Sequence, residues 1–236
     1  MLRIKNWDNK TWISSYKYIK SFNNFLLKQK KINKDSKILD IGCGRGKIIG
    51  FLSFKFKLKN KPIGLDIENH KDKDKRIIFK KISAIEYLEK NKIKFDLILI
   101  KQTIHFFNLK EIKKILAYSY SSLETGGMIL ILSLEPKNNE IPTFNSMKKK
   151  LNQSFKKEMI IRKSILKLNI KKKITRFEFK VSIKKLTYIK MIKQRYISSL
   201  LKFKPIQILK GIKEINLKYK KKITFNDKLD CIILKK

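Results

Sequence analysis

The stretch KILDIGCGRG, residues 37–46, constrains this chain more than any other. Residues 37–41 read as a short apolar strand carrying Asp40. The chain then runs straight into glycines at positions 42, 44 and 46, and KIIGFLSFKF (47–56) reads as a helix. Glycines between a strand and a helix lack Cβ, so the backbone can approach a ligand closely at the strand's carboxyl end. The spacing is G-x-G-x-G. A dinucleotide fingerprint, G-x-G-x-x-G, needs glycine at position 47, where Lys47 stands. The adjacent acid, Asp40, suits a ligand with an ammonium group better than one with a pyrophosphate. The next strand ends in GLDI, placing Asp66 twenty residues beyond Gly46. An acid at that strand tip accepts hydrogen bonds from both ribose hydroxyls. Glycine loop and acid together predict an adenosine-type ligand in the crevice at the carboxyl edge of a sheet.

The flanking sequence supplies that sheet. Residues 11–30 carry Trp12, Tyr16, Ile19, Phe22, Phe25 and Leu26 at spacings of three and four, which predicts an amphipathic helix. Strands are expected at 62–66, 76–81, 95–100 and 128–134. Helices are expected at 84–90, capped by Ser83 with Glu86 three residues on, and at 109–122, with a turn at Gly126-Gly127. Near-continuous apolar strands alternating with helices predict a doubly wound, mostly parallel α/β sheet covered on both faces. Beyond Pro136 the texture changes: helices at 146–168, 184–202 and 205–219, an alternating strand at 175–183 and a terminal strand at 229–234. No Gly/Ser-rich linker or internal repeat appears. The expectation is one domain over 1–236, with an N-terminal helical lid (1–35), a cofactor-binding core (36–136) and a helical substrate-side elaboration with the final strands (137–236).

Composition adds a field. Among 236 residues, 59 are Lys or Arg and 19 Asp or Glu, a net charge of +40. Residues 137–236 contribute +24 of it, from 30 basic and 6 acidic residues. A polyanion partner is one reading. Compositional drift is the other: 53 of the 59 are Lys, only 6 are Arg, and Ile is equally inflated at 39 copies. Nucleic-acid readers lean on the bidentate fork of Arg, so the composition favours drift. Cys43 and Cys231 are too far apart in sequence for a disulfide framework, and with His70 and His105 they match no metal spacing. His70 lies in a charged loop and is expected to be solvated. No apolar run approaches the ~18 residues of a membrane span, so a cytoplasmic protein is expected.

With these residues in place, the sequence resembles the class I S-adenosylmethionine-dependent methyltransferases. Residues 40–46 look like their first motif and Gly64-Leu65-Asp66 like their ribose acid. Ser83-Ala84 stands where the family often has Asp-Ala against the adenine. FDLILIKQTIHFF (95–107) resembles the fourth strand and active-site loop, and LETGGMILIL (123–132) the glycine turn and fifth strand. The ending of the chain is similar to the small-molecule branch around trans-aconitate methyltransferase.

The resemblance implies a Rossmann-like, seven-stranded sheet with its last strand antiparallel, formed by 229–234. It implies S-adenosyl-L-methionine as cofactor, held by Asp40, Gly42, Cys43, Gly44, Gly46, Asp66, Ile67, Ser83, Ala84, Lys101 and Gln102. Cys43 is expected to pack between the loop glycines rather than react. A small-molecule acceptor, of anionic character given the charge, would meet Trp12, Tyr16, His105, Arg195 and Tyr196. His105 is the candidate general base, because imidazole titrates near neutrality. Two other functions stay open: an RNA or protein methyltransferase docking through its basic C-terminal half, and a cofactor-binding regulator without catalysis. No motif bears on oligomeric state.

Overall fold

The computed structural model describes residues 11–236. A 3-10 turn, Trp12–Ser14, leads to α1 (Tyr16–Gln29), and β1 (Ile38–Ile41), α2 (Lys47–Phe56), β2 (Ile63–Asp66), β3 (Ile78–Lys81), α3 (Ala84–Lys90) and β4 (Phe95–Lys101) follow. Then come α4 (Leu109–Ser121), β5 (Leu123–Leu134), α5 (Asn145–Leu166), β6 (Lys172–Lys184), α6 (Lys185–Lys193), α7 (Pro205–Lys218) and β7 (Lys222–Lys235). The sheet order is β3-β2-β1-β4-β5-β7-β6. β7 runs antiparallel to both its neighbours, and the pairings among β1 to β5 are all parallel. The chain winds outward from β1 in one direction and then, from β4, in the other. The crevice at the carboxyl ends of β1 and β4 is therefore the topological switch point, where open α/β sheets bind ligands.

β4 shows why its sequence is an unbroken apolar run. Leu97 and Leu99 enter one core with Tyr18, Phe22 and Leu26 of α1 and Leu52 of α2. Ile98 and Ile100 enter the other with Leu88 of α3 and Ile112 and Ile115 of α4. Both faces are covered, so alternation disappears. α1 was expected within a lid, but it buries Tyr18, Phe22 and Leu26 against the sheet and covers a face. α5 is the element that spans the edge. Met147 near its start belongs to the first core, and Ile161 and Ile165 near its end belong to the second.

Three local expectations are corrected. Gly126-Gly127 is not a turn outside the strand but a bulge inside β5: Phe95 pairs with Leu123 and Leu97 with Met128, and Gly126 takes φ +74° to absorb the extra residues. The helix expected over 184–202 stops at Lys193 because Arg195 adopts φ +51°, which no helix interior accommodates. The terminal strand begins at Lys222, longer than expected, because it pairs with β6 from Lys222 to Leu234.

Phe22 is fully buried, with edge-on contact to Phe177 at 5.0 Å between ring centroids. Phe22→Ala should lower unfolding free energy by about 3–5 kcal/mol in urea denaturation. A loss under about 1 kcal/mol would contradict this account of the core.

Candidate active site

The loop after β1 is set before any ligand arrives. Gly42 and Cys43 donate their N–H groups to the Leu65 carbonyl at 2.8 and 2.9 Å, and Gly46 donates to the Cys43 carbonyl at 2.9 Å. Gly42, Gly44 and Gly46 all have positive φ, at 74°, 55° and 70°. A Cβ on Gly42 would lie 2.2 Å from Thr103 Oγ1, and one on Gly46 would lie 2.1 Å from Ile77 Cδ1. A Cβ on Gly44 would meet nothing within 4 Å. The outer glycines thus fit the loop to the fold, and the middle one faces open space. Cys43 fills the room that Gly64 leaves: a Cβ on Gly64 would come 2.7 Å from its Sγ.

Two acids flank this loop. Asp66 accepts from Gly44 N–H at 2.9 Å through Oδ2 and from Glu68 N–H at 2.9 Å through Oδ1. His70 Nε2 approaches Oδ2 at 3.3 Å. Burial works to raise the Asp66 carboxyl, but His70 and the backbone donors outweigh it and hold the group below its ordinary value. His70, expected in solvent, is buried with only 2% of its side chain exposed. The cause is the attraction of Asp66 four residues earlier. Asp40 is 3% exposed. Burial pushes its carboxyl up to about 7, with Lys101 opposing and Asp66 adding. An acid buried short of full compensation favours a cationic partner.

The loop after β4 faces the glycines. Lys101 is buried, its ammonium over the rings of Tyr18 and Phe22 at 5.3 and 5.4 Å, and it donates to Gln102 Oε1 at 2.8 Å. Gln102 takes φ +52° while its N–H donates to the Leu132 carbonyl at 2.7 Å. Asp40 and Lys101 together place a buried acid and a buried ammonium on adjacent strands, complementary to an amino-acid zwitterion.

His105 lies in the 3-10 turn Ile104–Phe106, and its carbonyl accepts from Lys157 Nζ of α5 at 2.7 Å. Its Nδ1 is 3.7 Å from Glu158 Oε1, and neither ring nitrogen has a hydrogen-bond partner. Burial pushes the His105 imidazole down to about 4 and the Glu158 carboxyl up to about 7. The ring is therefore neutral at pH 7, and the same burial makes it a weaker base than a free imidazole.

The remaining expected residues divide. Trp12 donates Nε1–H to Asp227 at 2.8 Å and meets Tyr196 edge-on at 5.5 Å. The Tyr196 hydroxyl lies 2.8 Å from that of Tyr188. Tyr16 stands apart, 65% exposed, over Phe51. Arg195 spends its guanidinium on the Phe203 carbonyl at 3.0 Å. Ser83 caps α3 by accepting from Glu86 N–H at 3.2 Å, and Ala84 is buried beneath it. Ile67 is exposed directly after Asp66.

Glu158, Asp227 and the His70 contact escaped the sequence reading. Glu158 had a signal: it interrupts the stripe Leu151, Phe155, Ile161, Ile165 at helical spacing, an acid on an apolar face. Among the described residues no group of three or more His, Cys, Asp and Glu is placed to hold a metal, and no helix is long and apolar enough to cross a membrane.

The profile of the ubiE/COQ5 methyltransferase family matches residues 3–171, and the chain belongs to that family. It is a methyltransferase that uses S-adenosylmethionine. No curated protein matches it significantly. Solved structures share the fold. One is a methyltransferase assigned to an antibiotic biosynthesis pathway of Anabaena variabilis, with 14% identity, TM-score 0.65 and coverage of 90% of this chain and 96% of that one. Another is an S-adenosylmethionine-dependent methyltransferase of Archaeoglobus fulgidus, with 21% identity, TM-score 0.53 and coverage of 92% and 94%. A third is the plantazolicin methyltransferase BpumL, solved with a pentazolic desmethylPZN analog and SAH, with 15% identity, TM-score 0.52 and coverage of 98% and 88%.

The residues present fit the cofactor. Open space lies over Gly44, the Asp66 carboxylate could accept from ribose hydroxyls, and Asp40 with Lys101 suits the amino-acid end. Gly44→Ala adds a left-handed strain of about 1–2 kcal/mol without a clash, yet puts a methyl group into the ligand's space. Calorimetry should show affinity for S-adenosylhomocysteine falling more than tenfold while the fold persists. Unchanged affinity would contradict the placement. Asp40 gives a pH test. Its folded value lies above its unfolded one, so its contribution to stability is full below about 4 and is lost as pH rises through about 7. Melts of the unliganded protein should fall from pH 5 to pH 8 more for wild type than for Asp40→Asn, and parallel curves would contradict the assignment.

Proposed function

We propose that this methyltransferase acts on a small molecule of anionic character, bound at the carboxyl edge of the sheet beside α5. The observation that carries the reading is the course of α5. It crosses from one core to the other and closes on the loop after β4 through Lys157 and Glu158. An edge roofed by its own helix suits a metabolite better than a polymer. Two structural neighbours point the same way, one a plantazolicin methyltransferase and the other from an antibiotic biosynthesis pathway. The likeness of the chain's ending to trans-aconitate-type methyltransferases agrees with an acidic acceptor. The surplus of cations over residues 137–236 supplies a field that draws an anion inward.

Bound S-adenosylmethionine supplies an electrophilic methyl group with a neutral leaving group, so the chain's tasks are alignment and exclusion of water. Gly44, in the loop that Gly42 and Gly46 shape, would hold the nucleoside with Asp66, Asp40 and Lys101 would fix the amino-acid end, and α5 would shield the edge. If the acceptor is a hydroxyl, the neutral His105 ring takes its proton. A carboxylate acceptor needs no base.

Incubating the full chain with a metabolite extract and methyl-labelled cofactor tests the reading. Label is expected in one small acidic product, and label incorporated only into RNA or protein would overturn it. With a hydroxyl product, His105→Asn should slow turnover by about 10²–10⁴-fold at unchanged cofactor affinity. Equal turnover would remove His105 from proton transfer.

A further inference from the structure

α7 carries apolar residues on two faces, and the fold uses one of them. Ile208, Gly211, Ile212 and Ile215 are buried. The packing there is close: a Cβ on Gly211 would lie 2.6 Å from the Phe144 ring. That fit fixes the rotation of the helix about its axis. On the opposite face Ile206 and Leu209 are more than half exposed, and Leu217 is 89% exposed. At 3.6 residues per turn the three fall within an arc of about 80°, along roughly 16 Å of helix. Lys213 stands inside that stripe and Lys210 at its margin, both exposed. Lys185 Nζ donates to the Asn216 carbonyl at 3.4 Å, which brings the start of α6, with the exposed Leu186, to the end of α7. Apolar residues scattered over a surface need no explanation, but a stripe on one helix face does.

The charge around the stripe is one-sided. Residues 184–222 hold 13 basic residues and 1 acidic one, Glu214. The Glu214 carboxylate accepts from the Asn145 N–H at 2.8 Å, so it serves the start of α5. Compositional drift enriches Lys and Ile along the whole chain, but it does not align them on the outer face of a helix whose inner face is already packed. Apolar side chains pointing outward among lysines suit the interface of a lipid bilayer: the apolar groups enter the acyl boundary and the ammonium groups reach back to the phosphates. A nucleic acid would call for Arg forks and stacking aromatic rings, and the exposed arc of α7 carries neither.

We propose that the outer face of α7, with the start of α6, docks this enzyme on an anionic lipid bilayer. Ile206, Leu209 and Leu217 enter the headgroup boundary, and Lys210 and Lys213 meet the lipid phosphates. The docking is peripheral, since no helix among the described residues is long and apolar enough to cross a membrane. It does not depend on which acceptor is methylated.

Flotation of the full chain with vesicles of phosphatidylcholine, with and without phosphatidylglycerol, provides the test. Wild type should float with the anionic vesicles and stay behind with the neutral ones. Any protein of this charge adsorbs weakly to an anionic surface, so the apolar stripe is tested separately. The double variant Ile206→Gln, Leu217→Gln leaves the charge unchanged and should weaken partition by about tenfold or more. Both positions are exposed, so its melting curve should match that of wild type. In Leu217→Trp, lipids brominated on the acyl chain should quench the added indole beyond the quenching seen in wild type. Absence of binding to anionic vesicles would overturn the proposal, as would binding to RNA alone. Equal partition of wild type and the double variant, or no added quenching in Leu217→Trp, would reduce the binding to surface charge and overturn the role of α7.

Discussion

Two loops at the carboxyl edge meet through a contact that leaves no room for a side chain. Gly42 lies so close to Thr103 that an added Cβ would come 2.2 Å from the hydroxyl. Thr103 in turn donates to the Lys101 carbonyl at 3.1 Å. This close approach locks the loop after β1 to the loop after β4 at the point where the strand order reverses. The groups proposed for the cofactor depend on it: Gly44 turned to open space, Asp40 near Lys101, and Gln102 with its positive φ. The same contact leads two residues on to His105, so the acceptor side is referenced to the glycine loop by a short, stiff path.

Charge is distributed against first impressions. The +40 surplus lies mainly on exposed lysines, while the chemistry gathers in buried acids. Asp40, Asp66, Glu158 and Asp227 come from β1, β2, α5 and β7. Their environments separate them: hydrogen bonds hold Asp66 down, whereas burial pushes Asp40, Glu158 and Asp227 up. A field of lysines around such a core concentrates anionic solutes at the surface without supplying the reacting groups.

The fold was legible where one physical cause dominates. Unbroken apolar runs such as FDLILI mark strands covered on both faces, and the glycine spacing marks the ligand loop. Boundaries set by single backbone conformations were not: the bulge at Gly126 and the break at Arg195 depend on φ values that no apolar pattern encodes. The residues proposed for the cofactor lie in two short segments with restrictive geometry, so a sequence can single them out. Contacts between distant elements cannot be read that way. Asp227 finds Trp12 across 215 residues, and Glu158 finds His105 across a helix crossing the sheet edge. His70 was misread because its neighbours are charged, yet an acid four residues away was enough to pull it inside.

The account stands or falls on nucleoside recognition by Asp66. Titration of S-adenosylhomocysteine into wild type and Asp66→Ala measures it directly. The structure predicts binding of one ligand per chain by the wild type and a loss of at least about tenfold in the variant, as hydrogen bonds to a charged group require. No binding by the wild type, or equal binding by the two proteins, would contradict it.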